Sequence, residues 1–549
     1  MDTQRLILFV IFSFSALFLW ERWQAEHRPP PPSAQSALKA SGDTPGTAAG
    51  APAATVAPNV PGSASAAPKA GETITIKTDR YAAQIDTLGA VIKEIALTEH
   101  RDTDHADKPY VLLQRNENRT FVAQSGLIGE GMPNHHTLWQ ALPGPRELVP
   151  GADKLELKLT AGDKITQTLT FHRGSFLIDV TYEVTNAGTA PIAPVAYFQL
   201  VRDGKPTGSQ AWGAPTAYTG PVLYNEADKY KKLDFADIDK GKIKFTEKTD
   251  NGWVGMVEHY FVAAWLPPDA NKLQREFYVN KLDNLYYDGV KLPLGTIAPG
   301  ASAHLDVPLY AGPQEQDTLK SLAPGLDLVV DYGVFTVIAA PLFWLLKWLH
   351  SLLGNWGWAI IAMTILIKSA FYPLNHASAR SMAKMKLIAP KMKALQEQYA
   401  SDKQQLQMKM MELYRTEKIN PLGGCLPILV QIPVFLALYW VLLGAVELRH
   451  APWIGWIHDL SAPDPFFVLP VVYAITAFLQ VRLSPTPIQD PVQAKIMQIM
   501  PIAFSVLFLF FPSGLVLYWL INNAIQIFQQ WHMNRLLTRE AAAAAAKRR

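Results

Sequence analysis

Apolar residues along the 549-residue chain follow three rhythms in succession. Residues 6–20 form a nearly unbroken apolar run, interrupted only by Ser13 and Ser15. Arg5 precedes it and Glu21, Arg22, Trp23 and Gln24 follow, with no small-x-small cleavage site after the run. This predicts an uncleaved membrane anchor over 1–24, with a cleaved signal segment as the other reading of the same length. Residues 25–70 are mostly Pro, Ala, Ser, Gly and Thr, with Pro29 to Pro32 near their start, and hold too few large apolar groups to bury a core. They predict a tether. From 71 to 330 the period is two. Phe176, Ile178, Val180, Tyr182 and Val184 alternate with polar neighbours, and Thr166, Thr168 and Thr170 point away from the apolar positions of 165–171. Segments 74–76, 91–97, 155–159, 195–201 and 256–265 are further strand candidates, separated by turn residues such as Asn186 to Gly188 and Asp203-Gly204. An antiparallel β-sandwich of this size needs no disulfides.

Beyond residue 331 the chain is apolar in blocks: 334–353, 356–372, 428–446, 466–483, 496–511 and 515–530. A membrane-crossing helix needs about 20 residues, and several blocks fall short, which predicts local thinning or polar lining. The longest polar break, 375–420, holds nine cations (Arg380, Lys384, Lys386, Lys391, Lys393, Lys403, Lys409, Arg415, Lys418) against Glu397, Asp402, Glu412 and Glu417. Together with the basic tail 536–549, it is assigned to the cytoplasm by the positive-inside rule. An N-terminal anchor that places the β-domain outside then leaves room for an odd number of crossings before residue 375. One of the two blocks 334–353 and 356–372 therefore does not cross. The first holds Pro341, Lys347, His350 and Ser351 beside Trp344 and Trp348. It is read as an amphipathic helix, 331–355, lying in the outer interface. The expected architecture is a polytopic α-helical membrane protein of six spans, both termini inside, with a core over 356–535 that includes a helical hairpin at 375–420.

Composition narrows the chemistry. Lys plus Arg is 50 and Asp plus Glu 47, a net charge of +3, which lacks the basic excess of a nucleic-acid binder. The single cysteine, Cys425, excludes a disulfide framework and a multi-cysteine metal site, and no base stands near it in sequence. The mean hydropathy of +0.05 averages a polar first half with an apolar second and hides both. No nucleophile elbow, zinc-protease motif, P-loop or dinucleotide fingerprint occurs. Neither an enzyme nor a resident metal or cofactor is expected.

Lys368 is the one clear ionisable residue within the spans of the core. A cation there costs several kcal/mol unless it faces water or a partner, although five residues before Pro373 it also lies within snorkelling reach of the inner surface. Thr364 is one turn earlier on the same face, Gln431 falls in the third span, and Asn522, Asn523, Gln526, Gln529 and Gln530 crowd the last. Amides in lipid must face one another or water. One cation with many amides and no carboxylate predicts a hydrated, positive cavity. In the hairpin, Met382, Met385, Met392 and Leu395 line one face, and Leu406, Met410 and Leu413 another, with Met408 and Met411 beside them. This fits either a self-packed pair of helices or an adaptable surface for apolar peptides.

The stretch Asn420 to Pro427 (NPLGGCLP), followed by Gln431-Ile432-Pro433, resembles the YidC membrane protein insertases of the YidC/Oxa/Alb family. So do Ser381 to Met385, Trp456 to Ser461 and Phe511 to Tyr518. The anchor, tether and large external domain resemble the Gram-negative form. The resemblance implies a five-helix core around a hydrophilic groove open to cytoplasm and lipid, and a location in the bacterial inner membrane with the large domain periplasmic. It implies as partners nascent membrane proteins, the Sec translocon, the lipid bilayer and, through the basic tail, the ribosome. It also implies substrate contact by Lys368, Thr364, Gln431, Trp519, Asn522, Asn523 and Gln526, and by the hairpin methionines Met382, Met385, Met392, Met408 and Met411. Family members usually have arginine at the position of Lys368, and many have tyrosine at that of Trp519. A small-anion channel or transporter using Lys368 as its selectivity charge is the rival expectation.

Overall fold

The structure, a computed structural model, describes residues 71–102, 107–205, 218–269, 272–399, 402–417, 426–483, 499, 503 and 505–546. The expected anchor at 1–24, the tether at 25–70, Cys425 with its neighbours 418–424, most of the first part of the block 496–511, and Lys547 to Arg549 lie outside the described residues.

Alternation builds the first half. Between Thr73 and Pro313 the chain forms two nine-stranded antiparallel sheets. In strand Leu177–Thr185 the positions Ile178, Val180, Tyr182 and Val184 are buried, and Val180 pairs with Val307 on one side and Leu169 on the other. The threonines of Ile165–His172 face outward as their spacing predicts. Strand Val195–Asp203 sits between Thr120–Ile128 and Leu285–Pro293 at the centre of the facing sheet, and its interior residues are buried on both faces. The sheets meet through aromatic contacts. Phe198 lies 5.0 Å from the Trp265 ring and 6.0 Å from Tyr182, edge-on to the latter. Such pairs add to the apolar area they bury.

One predicted strand divides. Segment 256–265 is a hairpin of Trp253–Val257 and Phe261–Trp265, turned at Glu258, His259 and Tyr260. The acid inside this apolar run is the reason. Glu258 is buried, ion-pairs with Arg202 at 2.9 Å and with Arg119, and accepts a hydrogen bond from the Tyr110 hydroxyl. A buried carboxylate needs such company, and it fixes the turn where the company is.

Eight helices of eight or more residues follow among the described residues. They are α1 (Thr336–Leu353), α2 (Trp356–Ala370), α3 (Tyr372–Leu387), α4 (Ala389–Gln398), α5 (Lys403–Thr416), α6 (Leu426–Gly444), α7 (Val468–Leu483) and α8 (Ser513–Ala546). Between α1 and α2, Gly354 takes the left-handed conformation that closes one helix, and the Asn355 side chain accepts the Trp358 N–H to open the next. Asp464 likewise opens α7, accepting from the backbone of Leu469 and Phe466 and from the Trp456 indole. The first N–H groups of α8, at Ser513 and Gly514, donate to the carbonyls of Ala462 and Leu460.

Three boundaries differ from the sequence expectation. Block 356–372 is not one straight element: α2 ends at Ala370, and α3 leaves at 54° with Pro373 in its first turn. The hairpin therefore does not begin at 375, which lies inside α3, and its first arm breaks again before Pro390. The last block extends into a 34-residue helix that runs past 535 to Ala546, so the core and the basic tail are continuous. Among the described residues, α1 alone matches a membrane span by length and apolarity, α2 with the start of α3 matches one jointly, and Val430–Gly444 and Val468–Arg482 are shorter apolar helices.

The sandwich is clamped to the helices through the segment after α6. The Arg449 guanidinium lies over the rings of Tyr110 (5.2 Å), Phe261 (5.3 Å) and Tyr260 (5.6 Å) and donates to the Arg101 carbonyl. His450 accepts the Arg101 N–H and faces Asp459, and the His259 imidazole lies 3.1 Å from the Leu443 carbonyl. Burial, with Arg449 adding to it, pushes His100 down to about 4, and burial does the same to His259. Both rings stay neutral in the docked form while an undocked histidine takes up a proton near its ordinary value of 6.5. Depressed folded-state values contribute stability above pH 6.5 and lose it as pH falls toward 4. The apparent unfolding temperature of the full chain is expected to drop across that window, and less steeply in His100→Gln/His259→Gln. An unchanged slope in the double variant contradicts the clamp.

Candidate functional site

Helix geometry brings the predicted polar residues to one level. Lys368 lies in the last turn of α2, where a cation complements the helix dipole, and is only 5% exposed. Its ammonium donates to the side-chain carbonyl of Gln526 on α8 at 2.9 Å and of Gln431 on α6 at 3.4 Å. Gln431 in turn donates to Asn375 Oδ1 at 3.1 Å, and Asn375 donates to Gln529 Oε1 at 3.2 Å. The network joins α2, α3, α6 and α8. Among the described residues Lys368 forms no ion pair, so its charge is solvated by amide dipoles.

Not every predicted residue joins. Thr364 is buried one turn from Lys368, but its hydroxyl donates to the Ile360 carbonyl at 2.7 Å on its own helix. Asn523 is buried and donates to Thr476 Oγ1 at 3.0 Å, tying α8 to α7. Asn522 is half-buried beside it. Trp519 belongs to an aromatic cluster with Phe435 (4.4 Å), Phe508 (5.6 Å), Tyr473 (6.3 Å) and Tyr518 (6.3 Å).

The levels separate along the helices. From the start of α8, Trp519 is about 9 Å along the axis and Gln526 about 20 Å, at 1.5 Å per residue. On α6, which runs the opposite way, Gln431 precedes Phe435 by one turn. The amides therefore occupy the half nearest the 375–420 hairpin, and the aromatic rings close the half nearest the β-domain. Asn375 and the aromatic closure were not among the sequence candidates. Asn375 opened a polar break, and aromatic residues in apolar blocks carry no sign of which way they face.

The hairpin methionines divide. Met385 and Met392 pack with Ile388 against Met410, Leu413 and Tyr414, the self-packed arrangement. Met408 and Met411 are exposed on α5, and the Met382 side chain lies outside the described residues. Asp402 caps α5 by accepting from the backbone of Gln404 and Gln405. Among the described residues no cluster of histidine, cysteine or carboxylate groups could hold a metal ion.

Residues 73–345 match the family model of the YidC periplasmic domain, and residues 348–540 match that of the 60Kd inner membrane protein. Over its whole length the chain is 50% identical to the full Membrane protein insertase YidC of Cupriavidus metallidurans. It is 51% identical to the protein of the same name from Nitrosospira multiformis, with 99% of this chain and 98% of the relative covered. A crystal structure of active YidC insertase with its first transmembrane domain resolved is similar at 17% identity and a TM-score of 0.38, over 84% of this chain and 94% of that one.

If the amides solvate the ammonium, removing them should destabilise the protein through the lysine. Gln431→Leu/Gln526→Leu removes two hydrogen bonds to the ammonium and is expected to cost about 3–6 kcal/mol, at about 1.5–3 kcal/mol for each bond to a charged group. Adding Lys368→Met should recover most of that loss in thermal unfolding. An equal loss with and without the lysine would show that the two are not coupled.

Proposed function

The chain belongs to the YidC family of membrane protein insertases, and from that premise we propose that the Lys368 level is the groove through which this protein passes the polar ends of its clients. It is a protein of the bacterial inner membrane whose substrates are nascent membrane proteins. The observation that carries the reading is a buried ammonium held by uncharged amides, with the aromatic cluster packed on the side away from the hairpin. Amides satisfy the lysine without neutralising it. The positive potential that remains attracts an acidic or polar tail and holds it without tight binding, since a carboxylate about 4 Å away gains about 4 kcal/mol at an effective dielectric of 20.

The steps follow from the layout. A client's polar tail enters from the hairpin side and exchanges part of its hydration for Gln431, Gln526, Asn375 and Lys368. The remaining apolar path, past Trp519 and Phe435, is shorter than a whole bilayer. As the tail emerges, the adjoining apolar segment moves sideways into lipid, and burial of its surface, at about 25 cal/mol per Å², drives the process without nucleotide. Trp519 and its neighbours keep the route closed to solutes between clients.

This reading orients the chain with six spans, both termini and the hairpin inside, and the β-domain periplasmic. The α1 assignment as an interfacial helix is supported by Lys347, which ion-pairs with Asp317 of the short helix Gln316–Leu322 at the end of the β-domain. A crossing helix would bury Lys347 about 16 Å below the start of α1, away from that domain. One face of α1 packs on the core through Phe343, Leu346 and Leu349, while Trp344 and Trp348 are exposed as interfacial anchors. The Sec translocon as a co-worker and ribosome contact by the C-terminal end of α8 belong to the same reading. So does reception of apolar client segments by Met408 and Met411.

Reconstituted full-length protein tests it. Lys368→Arg is expected to insert an acidic-tailed client at close to the parental rate, and Lys368→Glu to slow it about tenfold, equivalent to about 1.4 kcal/mol. A neutral-tailed client should be affected less. Equal insertion of the acidic client by Lys368→Glu would refute the electrostatic role, and anion flux without insertion would favour a channel.

A further inference from the structure

Helix α8 continues well beyond the Lys368 level, and its outward face changes chemistry along its length. Phe528, Trp531, Arg535 and Arg539 follow one another at spacings of three, four and four, which keeps them within one side of the helix. All four are exposed, Phe528 at 63% and Trp531 at 44%, whereas Asn523 and Met533 on the opposite side are buried. The Phe528 and Trp531 rings are 6.1 Å apart, and the Arg535 guanidinium lies 4.1 Å from the Trp531 ring centroid. Trp531, Asn534, Arg535 and Arg539 line an open cleft.

Depth gives this ladder its meaning. At 1.5 Å per residue from the start of α8 at Ser513, Phe528 lies about 22 Å along, Trp531 about 27 Å, Arg535 about 33 Å and Arg539 about 39 Å. A hydrocarbon core of about 30 Å therefore ends between Trp531 and Arg535. Phenylalanine in the acyl region, an indole at the boundary and two guanidinium groups just above it match the cross-section of a phospholipid. The guanidinium fork suits a phosphate oxygen pair better than a lysine ammonium does, and stacking on Trp531 pre-orders Arg535 for it.

We propose that this face of α8 is a binding site for an anionic phospholipid of the inner leaflet, with Arg535 and Arg539 on the headgroup phosphate and Trp531 and Phe528 against the glycerol and acyl chain. The proposal rests on the orientation given above, which puts the end of α8 inside. A lipid held there would fix the height of α8, and with it the depth of Gln526, two residues before the ladder begins.

The test uses the full chain in nanodiscs of phosphatidylcholine containing a minority of photoactivatable phosphatidylglycerol, with photoactivatable phosphatidylcholine as comparator. Phosphatidylglycerol should label residues 528–539 about tenfold more than phosphatidylcholine. Arg535→Gln/Arg539→Gln should lower that labelling by about tenfold, to the phosphatidylcholine level, since each arginine near a charged surface contributes roughly fivefold, and Arg535→Lys/Arg539→Lys should lower it by much less. Equal labelling by the two lipids, or labelling that survives the glutamine pair, overturns the proposal. Loss of ribosome binding in the glutamine pair with lipid labelling unchanged also overturns it, in favour of RNA as the ligand. A cysteine at position 539, in a Cys425→Ser background, reports the orientation separately. Modification from the hairpin side only is expected, and modification from the β-domain side would overturn the orientation along with the proposal.

Discussion

The arrangement depends on a positive charge placed where lipid would forbid it and kept positive. A carboxylate beside Lys368 would be the simplest way to stabilise it and would leave a neutral pair with no reach. Amides stabilise the ammonium through their dipoles while leaving its net charge in place. That choice requires several helices to present carbonyl oxygens at one height, and it accounts for where the polar residues of α2, α3, α6 and α8 lie. Gln431 and Gln526 hold the lysine directly, Asn375 holds Gln431, and Gln529 holds Asn375 in turn.

Two other features protect that level. The aromatic cluster of Phe435, Tyr473, Phe508, Tyr518 and Trp519 fills the space toward the β-domain, so polarity is confined to one half of the helical core. The loops on the β-domain side are held by a separate set of charges. Arg449 sits in an aromatic box of the sandwich, and Asp464 and the 459–462 segment cap the starts of α7 and α8. The helix ends that set the height of Gln526 and Trp519 are therefore fixed on the side away from the hairpin. The ends toward the hairpin are tied less tightly, through a bent α2–α3 junction and a hairpin packed on a small methionine, leucine and tyrosine cluster.

Much of this was legible in the amino-acid order, for reasons that differ by element. Strand alternation in 165–184 is a local signal, and both strands appear with the predicted faces inward. An isolated cation among apolar residues is also local, so Lys368 stood out, and crowding of amides in the last block pointed to Gln526. Partners that depend on tertiary placement were not legible. Glu258 interrupts an apolar run and marks a turn, but its pairing with Arg202 and Arg119 joins residues far apart in sequence. Thr364 shares a helical face with Lys368, yet its hydroxyl is occupied by its own backbone, which face periodicity does not reveal. The break at Ala370 was signalled by Pro373, but apolar continuity outweighed it. Arg449 carries no local signal of its role, because its aromatic box comes from two distant segments of the β-domain, at Tyr110 and at Tyr260-Phe261.

Water access to the lysine level, from one side of the bilayer only, is the central claim, and cysteine labelling tests it most directly. In a Cys425→Ser background, a cysteine at position 526 should react with a membrane-impermeant maleimide added from the hairpin side, and a cysteine at 519 should resist the reagent from both sides. Protection of position 526 from both sides, or modification of 519 from the β-domain side, would contradict the account.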